Sequence, residues 1–256
     1  MTSRHRRIVA RSALGVSSFA IMALAATAPQ AGNVMWTDHL TSLNSSRWSV
    51  PDGWTDGPWM LNNWRASQIA TKSSGLYSTF NVAAPGSSNA YSSGAIQANP
   101  LFRYGYFVAR MQSAPGSGFD TGFFTYTGPS MGATWNEIDV EITGLHPNVV
   151  ELSYHNGNKI VTNKLALSFD ASKSAHLFGF DWEPGYIRWY IDNKLVHQDT
   201  GSQLPLPNEP QKLGFEAWGS NSFIPWLGPF VWPGRPVVAH AACIAVAPRF
   251  NSNLGC

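Results

Sequence analysis

The chain has 256 residues, of which 44% are hydrophobic, 13% are aromatic and only 12% are charged. This composition excludes a disordered chain, and the length is enough to bury a large core without structural staples. Arg4, Arg6, Arg7 and Arg11 account for the formal charge of +2, because the other 13 Lys and Arg are outnumbered by 15 Asp and Glu. A chain without a basic patch is not expected to bind nucleic acid. With 23 Gly and 17 Pro, it is expected to be all-β and to bind an uncharged ligand that stacks on aromatic rings.

The first 31 residues have the order of a secretory signal peptide. A basic segment, Met1 to Arg11, precedes the apolar run from Ala13 to Ala28, and Pro29-Gln-Ala31 follows. The apolar run is too short for a transmembrane helix, which needs about 20 residues. We therefore predict a leader over residues 1–31, one mature domain over residues 32–256, and a secreted or periplasmic protein that contacts no membrane after cleavage.

The mature part is predicted to consist of strands, because β-rich runs alternate with turn residues at short spacing and no window has a sustained helical period. Glu183-Pro-Gly185 and Asp192-Asn193 are turn sequences, which predicts a three-strand meander over residues 175–198. The segment 35–65 lacks regular alternation and is expected to lie as loops over a sheet. The ten predicted strands are 76–82, 104–111, 122–127, 137–142, 149–154, 175–182, 186–191, 194–198, 212–218 and 237–246.

The two cysteines, Cys243 and Cys256, both lie near the C-terminus. In an exported protein they are consistent with a disulfide that ties down the tail, and equally with two unpaired thiols. Cys243 lies in the apolar run from Val237 to Val246, which predicts a buried strand. Two cysteines alone make no metal site.

One predicted strand carries most of the chemical information. It reads Trp135-Asn-Glu137-Ile-Asp139-Val-Glu141-Ile-Thr-Gly144. Because side chains alternate along a strand, Glu137, Asp139 and Glu141 share one face, and the β-branched residues between them face the core. Like charges in a row destabilise a sheet. An ordinary solvated face and a calcium site are the alternatives, and a catalytic pair of acids is the interpretation we favour.

The spacing of Glu137 and Glu141 along the strand is compatible with cleavage of a glycosidic bond. Four residues of strand separate the Cα atoms of Glu137 and Glu141 by roughly 13 Å. A retaining glycosidase needs its two carboxyl groups about 5–5.5 Å apart, a gap that two long Glu side chains can close by leaning together. Asp139 between them can hydrogen-bond one Glu and raise the pKa of the other through its charge. The result would be a protonated acid beside an ionised nucleophile.

The motif Glu-Ile-Asp-Val-Glu within this strand closely resembles the active-site signature of glycoside hydrolase family 16. The likeness extends over nearly the whole mature chain. Segments 102–111, 122–129 and 180–190 resemble lichenase-type members, and 226–236 resembles the branch that depolymerises exopolysaccharides such as succinoglycan. The resemblance implies a concanavalin-type β-jelly-roll sandwich of two antiparallel sheets, a cleft on the concave sheet, and retaining, endo-acting hydrolysis.

The resemblance also assigns roles to individual residues. It implies that Glu137 is the nucleophile, Glu141 the acid/base and Asp139 the auxiliary carboxylate. Each of the proposed ring contacts has a second interpretation as a core or lid residue. The residues that match sugar-contacting aromatics of the family are Trp135, Phe124, Tyr126, Trp218 and Trp226.

Several positions depart from the family pattern. Ser153 and His155 stand where lichenase-type members carry Asn and Tyr, and His155 is expected to influence which sugar is accepted. Ala242 aligns with an Asp that helps bind calcium in relatives, which argues against that structural calcium here. Val140 is followed directly by Glu141, so the strand is predicted to be regular, as in the lichenase-like branch.

Five Trp residues fall in the segment 35–65, whose rings and amides suit sugar recognition. Trp48 and Trp64, each beside an Arg, are expected to pack. Trp54 and Trp59 lie among Gly and Pro, where a loop can present a ring to solvent. Trp54 and Asn62 are therefore added as candidate substrate contacts.

The sequence as a whole predicts a secreted retaining endo-β-glycanase that acts on a β-glucan or a glucose-rich exopolysaccharide. No cofactor or metal is expected, the partner is a polysaccharide, and a monomer is expected because an open cleft on a long polymer needs no second subunit. Two alternatives stay open at this point. A lectin-like sandwich would bind sugar without cleaving it, and a transglycosylase would pass the glycosyl group to another sugar.

Overall fold

A computed structural model of the protein describes residues 35–256. The predicted leader therefore lies outside the described residues, as do residues 32–34. Within the described part, seventeen strands form two sheets. The strands are β1 Trp36–Asp38, β2 Trp48–Ser49, β3 Asn62–Trp64, β4 Ile69–Lys72, β5 Gly75–Val82, β6 Tyr91–Ser93, β7 Ala95–Phe102, β8 Gly105–Gln112, β9 Phe119–Thr127, β10 Asn136–Thr143, β11 Val149–Asn156, β12 Lys159–Ala166, β13 His176–Glu183, β14 Tyr186–Ile191, β15 Lys194–Asp199, β16 Gln211–Gly219 and β17 Val237–Ala247.

The two sheets differ in size and order. The larger sheet runs β15-β14-β13-β8-β17-β5-β6-β3, with β1 added beside β17 and β4 beside β5. The smaller sheet has seven strands in the order β12-β11-β10-β9-β16-β7-β2. All strand pairs are antiparallel except the short pair β3 and β6, which is parallel. The prediction of two antiparallel sheets is therefore correct apart from this one edge pair.

The core lies between the sheets and follows from the period-2 alternation of each strand. On β10, Ile138, Val140 and Ile142 are at most 1% exposed and contribute to this core, as predicted. From the larger sheet, Phe107 and Phe180 pack into the same cluster. The residues that alternate with these on the smaller sheet lie on its outer face, away from the core.

Helices are few and short in the part of the chain that the structure describes. Two 3-10 turns span Ala66–Gln68 and Pro129–Met131, and one α-helix, α1, spans Ile224–Leu227. Among residues 35–256, no helix has the length and apolarity needed to cross a bilayer. The absence of helical periodicity in the sequence of residues 35–256 predicted this low helical content.

All ten predicted strands are present, with ends that differ by up to three residues. The meander is also confirmed, since β13, β14 and β15 pair in sequence and the turn residues Asp192 and Asn193 both have positive φ. The sequence missed β7, whose Pro100 weakens the strand pattern, and β12, a largely polar strand at the sheet edge. The expectation of loops over 35–65 is partly wrong, because β1, β2 and β3 lie there.

The C-terminal tail covers the outer face of the larger sheet. Phe250 stacks on Tyr190 at a centroid distance of 4.0 Å and lies edge-on to Tyr106 at 5.2 Å. Cys243, which is 2% exposed in β17 as predicted, forms a disulfide with Cys256 across a Cα separation of 5.5 Å. Of the two interpretations of the cysteines, the structure therefore supports the disulfide.

Candidate active site

The outer face of β10 carries the acidic residues that the sequence singled out. Glu137, Asp139 and Glu141 alternate with core residues along a strand that pairs with β9 and β11 without a register shift. The predicted regular strand is therefore observed. Glu137 and Glu141 are partly exposed, whereas Asp139 is only 5% exposed between them. This arrangement leaves the two Glu side chains accessible from one side of the sheet.

Trp135 orients the first carboxylate. Its indole Nε1–H donates a hydrogen bond of 2.6 Å to Oε2 of Glu137. The backbone carbonyl of Trp135 accepts from the N–H of Gly157, which anchors the ring to the turn between β11 and β12. A donor held in this way stabilises the ionised form of Glu137 and limits the directions in which its carboxylate can point.

Asp139 is held on two sides. Its Oδ2 accepts a 2.8 Å hydrogen bond from Ser153 Oγ on the neighbouring strand. From the opposite sheet, Trp189 Nε1 donates to the backbone carbonyl of Asp139 at 3.2 Å. Ser153, which replaces the Asn of lichenase-type members, thus still provides a donor to the central carboxylate.

His155 lies next to two of the candidate catalytic carboxylates. Its ring stacks on Trp135 at 4.4 Å between centroids with an interplanar angle of 12°. Its Nε2 is 4.0 Å from Glu137 Oε2 and 3.9 Å from Asp139 Oδ2. His155 therefore belongs to the site geometrically, and a protonated imidazole there would favour the ionised carboxylates.

The three carboxyl groups have different pKa values. Burial raises the pKa of Glu137 to about 7, while the hydrogen bond from Trp135 opposes that rise. Burial raises the pKa of Glu141 to about 8, and repulsion by Glu137 and Glu151 adds to it. The pKa of Asp139 is also well above its usual value because of burial and its two charged neighbours. The hydrogen bond from Trp135 thus favours the ionised form of Glu137, whereas repulsion by neighbouring carboxylates favours the protonated form of Glu141, as a nucleophile beside a proton donor requires.

The aromatic candidates on β9 lie beside the carboxylates. Phe124 is paired with Asp139 and Tyr126 with Glu137, and both rings are partly exposed on the same outer face. Phe124 lies across Gly214 of β16, where a Cβ would be only 2.4 Å from the ring atom Cζ. The glycine therefore lets the ring lie flat over the sheet.

Trp218 and Trp226 lie at the other end of the outer face. Trp218 is 6% exposed and pairs in register with Asp120, and its ring centroid is 5.8 Å from that of the half-buried Trp226. Trp59 packs edge-on against Trp218 at 5.1 Å. Trp59 is half-buried, so the expectation that the loop presents its ring to solvent is only partly confirmed, because the ring also packs on Trp218.

The predictions for the segment 35–65 are only partly confirmed. Trp48 and Trp64 are 3% and 1% exposed, so their predicted packing role is confirmed, and Trp54 is exposed as expected. Asn62 is 0% exposed, and its side-chain oxygen accepts from the backbone N–H of Gly219. The prediction of a direct sugar contact by Asn62 is contradicted by this burial, since its amide pins the segment to β16.

The outer face holds carboxylates that the sequence analysis did not single out. Asp120 lies on β9, Glu151 on β11 and Glu216 on β16, and Glu151 is ion-paired with Lys164. The same alternation that places Phe124 and Trp218 on the outer face also places Asp120 and Glu216 there. That signal was present in the sequence, but it needed the strand pairing to show which residues become neighbours.

One group of side chains could share a cation. Ligand atoms of Glu137, Asp139 and His155 lie within 4.8 Å of one another. Two carboxylates and an imidazole are a chemically reasonable donor set. A cation there would occupy the carboxylate that Trp135 already orients, so we derive no catalytic step from one.

Known proteins share this architecture. The profile described as "Glycosyl hydrolases family 16" matches residues 57–228. A beta-glucanase of Paenibacillus polymyxa is 35% identical over 204 residues, which cover 78% of this chain and 82% of the relative. The crystal structure of a prokaryotic beta-1,3-1,4-glucanase (lichenase) derived from a mouse hindgut metagenome has a TM-score of 0.77 at 30% identity and covers 84% of this chain and 99% of that one. The Bacillus licheniformis beta-glucanase has the same TM-score at 29% identity, with 84% and 98% covered.

The chain belongs to glycosyl hydrolase family 16. It is therefore a glycoside hydrolase, an enzyme that cleaves O-glycosidic bonds. The predicted family and the predicted jelly-roll sandwich are both confirmed by these relatives.

Proposed function

We propose that this protein is a secreted or periplasmic, monomeric endo-β-glucanase that hydrolyses 1,3-1,4-linked or related β-glucan with retention of configuration. The observation that carries the proposal is the placement of Glu137 and Glu141 on one accessible face of an unshifted strand, with a buried carboxylate between them. Relatives named beta-glucanase over most of the chain support the substrate class. The leader pattern in residues 1–31 supports export.

The first step forms a glycosyl-enzyme. The ionised Glu137 attacks the anomeric carbon, and Glu141 gives its proton to the glycosidic oxygen as the bond to the leaving sugar breaks. Trp135 Nε1–H keeps one oxygen of Glu137 occupied, which leaves the other oxygen to attack. The bond electrons stay with the protonated leaving oxygen.

The second step releases the product. Glu141, now ionised, takes a proton from a water molecule whose oxygen attacks the anomeric carbon, and Glu137 departs as a carboxylate. Glu141 thereby regains the proton that it needs for the next cycle. Burial and repulsion by Glu137 and Glu151 keep Glu141 protonated until the leaving group requires the proton, while Asp139 lies between the two Glu residues, held by Ser153.

The test uses Glu137→Gln and Glu137→Ala on lichenan, mixed-linkage β-glucan, laminarin and succinoglycan. We expect the wild type to lower the viscosity of a β-glucan early and to release a β-configured product, and Glu137→Gln to lose at least about 10³-fold in kcat. With an activated glucoside, azide should restore turnover to Glu137→Ala and give the α-glycosyl azide, since azide then enters from the face that the nucleophile has vacated.

The matched control is Glu183→Gln, because Glu183 lies on the larger sheet, ion-paired with Arg249, away from the outer face of β10. It should retain normal rates. Near-normal turnover by Glu137→Gln would disprove the assignment of the nucleophile. Sugar binding without cleavage by the wild type would instead indicate a lectin, and longer products from short substrates would indicate a transglycosylase.

A further inference from the structure

Three side chains from two neighbouring strands converge at the end of the outer face that carries the proposed nucleophile. Glu137 and Asp139 lie on β10, and His155 on β11 is the direct cross-strand partner of Glu137. Nε2 of His155 is 4.0 Å from Oε2 of Glu137 and 3.9 Å from Oδ2 of Asp139. All three ligand atoms lie within 4.8 Å of one another. We refer to these three residues as the Glu–Asp–His triad.

The imidazole distinguishes the triad from a group of acids alone. Ca²⁺ and Mg²⁺ prefer oxygen ligands, whereas an imidazole beside carboxylates suits Zn²⁺ and Cu²⁺. Zn²⁺ binds nitrogen and oxygen atoms at about 2.0–2.2 Å, so small rotations of the three side chains would bring their ligand atoms into range. The triad would fill three positions of a tetrahedral ion and leave the fourth to water.

Each member of the triad is held by a further group. Trp135 Nε1–H donates a 2.6 Å hydrogen bond to Oε2 of Glu137, and Ser153 Oγ donates a 2.8 Å bond to Oδ2 of Asp139. The ring of His155 stacks on Trp135 at 4.4 Å between centroids. A carboxylate oxygen has two lone pairs and can accept such a bond while it binds a metal. Outer partners of this kind orient the ligands of metal sites in proteins.

The charge around the triad is negative. Among residues 35–256, the ion pairs that reach its two carboxylates come from His155 alone, and no Lys or Arg is paired with them. Lys164 on the same face is paired with Glu151. Asp120 and Glu216 add further carboxyl groups to that face. A divalent cation would therefore gain Coulomb energy that the described part of the chain does not otherwise supply.

We propose that the Glu–Asp–His triad binds one divalent transition-metal ion, Zn²⁺ or Cu²⁺, and that the bound ion inhibits the enzyme reversibly. The ion would engage the carboxylate of Glu137, which then cannot attack the anomeric carbon, and it would occupy the place of the sugar. Metal and substrate would therefore compete. The metal site stands on the geometry alone, whereas its inhibitory effect rests on the proposed function. The ion is an inhibitor and takes part in no step of hydrolysis.

Metal binding is measured directly by calorimetry, on enzyme that has been treated with EDTA and freed of it. We expect one Zn²⁺ per chain, with Ca²⁺ and Mg²⁺ bound at least about 100-fold more weakly because an imidazole is a poor ligand for them. With Cu²⁺, the electron paramagnetic resonance spectrum should show splitting by one imidazole nitrogen. That splitting should disappear in His155→Gln.

Glu137→Gln and Glu141→Gln form a matched pair on the same strand, and both are expected to be inactive. Glu137→Gln removes a ligand and should weaken Zn²⁺ binding at least about tenfold, as should His155→Gln. Glu141→Gln removes a nearby charge but no ligand, so it should weaken binding by no more than about fivefold. The pair therefore separates loss of the metal site from loss of catalysis.

Inhibition is measured as hydrolysis of a β-glucan at several Zn²⁺ concentrations. Zn²⁺ should raise the apparent KM without lowering kcat, and excess EDTA should restore the original rate. His176→Gln is the control, because His176 pairs with Asp192 at 2.8 Å on the larger sheet, away from the triad. This variant should keep both the wild-type rate and the wild-type inhibition by Zn²⁺.

The outcomes separate the two proposals. No Zn²⁺ binding by the wild type, or binding that His155→Gln and Glu137→Gln leave unchanged, would overturn the metal site, even with Glu137→Gln inactive as expected. Tighter binding of Ca²⁺ than of Zn²⁺ would also overturn it. Inhibition that lowers kcat at unchanged KM would overturn the competitive effect. Zn²⁺ binding at the triad by a wild type that cleaves no β-glucan would support the metal site and refute the proposed function.

Discussion

Trp135 is a candidate sugar contact and also the hydrogen-bond donor to the proposed nucleophile. Its face stacks on His155, and its Nε1–H is bonded to Glu137 at 2.6 Å. The hydrogen bond lowers the pKa of Glu137 against the effect of burial, which raises it to about 7. The ring and the donor can be separated by mutation, because Phe retains an aromatic face without the N–H.

Trp135→Phe is expected to raise the pKa of Glu137 and to move the acidic limb of the kcat/KM profile upward by about one unit, since a hydrogen bond to a charged group contributes about 1.5–3 kcal/mol and one unit is about 1.4 kcal/mol. Activity should therefore fall about tenfold at pH 6 and less at pH 7.5. A pH profile measures this, with the melting temperature as the control. An equal loss of activity at every pH would show that the hydrogen bond does not set the pKa of Glu137.

Trp54 and Trp64 form a matched pair in the same segment, since one is 43% exposed and the other 1% exposed. Trp54→Ala should weaken binding of long substrates by about 1–3 kcal/mol, by analogy with base stacking, and leave the melting temperature nearly unchanged. Trp64→Ala should instead cost about 3–5 kcal/mol of stability, because it empties a core position. Calorimetry and substrate-length kinetics distinguish the two. A large drop in melting temperature for Trp54→Ala with normal kinetics would make it a packing residue.

At the scale of elements, the C-terminal tail packs on the larger sheet, whereas β10, which carries the candidate catalytic residues, belongs to the smaller sheet. The tail packs Phe250 on Tyr190 and is closed by the Cys243–Cys256 disulfide, and Arg110 Nε donates to the backbone carbonyl of Cys256 at 2.6 Å. Residues that alternate with the core positions of β8, β14 and β17 form this cluster. The tail therefore stabilises the larger sheet from outside.

Cys256→Ser should lower the free energy of unfolding by about 2–3 kcal/mol, because the disulfide closes a loop of 13 residues in the unfolded chain. Hydrolysis rates at 25 °C should remain those of the wild type. Denaturant titration with and without reductant measures the loss, and the double variant Cys243→Ser/Cys256→Ser controls for a free thiol. Loss of activity at unchanged stability would connect the tail to the active site, contrary to this expectation.

For the whole molecule, the outer face of the smaller sheet makes stability depend on pH. Asp120, Asp139 and Glu216 have raised pKa values, and those of Glu137 and Glu141 are about 7 and about 8. A carboxyl group with a raised pKa binds its proton more tightly in the folded state than in the unfolded chain. Stability is therefore highest below the unfolded values, near pH 4.5, and falls as the pH rises through about 7 and 8.

The melting temperature of the free enzyme should consequently be higher at pH 5 than at pH 8.5 by at least about 5 °C, since one pKa unit is about 1.4 kcal/mol and each kcal/mol is about 2–4 °C at this size. Glu141→Gln should flatten this dependence, because it removes one of the groups that must lose a buried proton. Scanning calorimetry across the pH range measures both. A melting temperature that rises between pH 5 and 8.5 would contradict the buried, repelling arrangement.

Particular elements show how much of the structure could be predicted from the sequence. β10 was predictable because strict alternation separates three acids from three β-branched residues, and its pairing then kept that alternation. Asn62 was misassigned because an amide has the same appearance in a sequence whether it binds a sugar or a neighbouring backbone. β7 was not predicted because Pro100 interrupts its strand pattern. The strand accommodates this proline because it lies next to a shift in the register between β7 and β16.

The sequence by itself determined the properties that depend on neighbours along the chain: the strand content, the acidic face of β10, the family and the two Glu residues of the candidate mechanism. Only the tertiary structure decided that Asp120 and Glu216, almost 100 residues apart, meet across Gly122, and that Trp59 covers Trp218. The physical reason is that contacts between strands depend on register and on the path of the connecting loops. Local alternation states which face a side chain occupies, but not which side chain from a distant strand lies beside it.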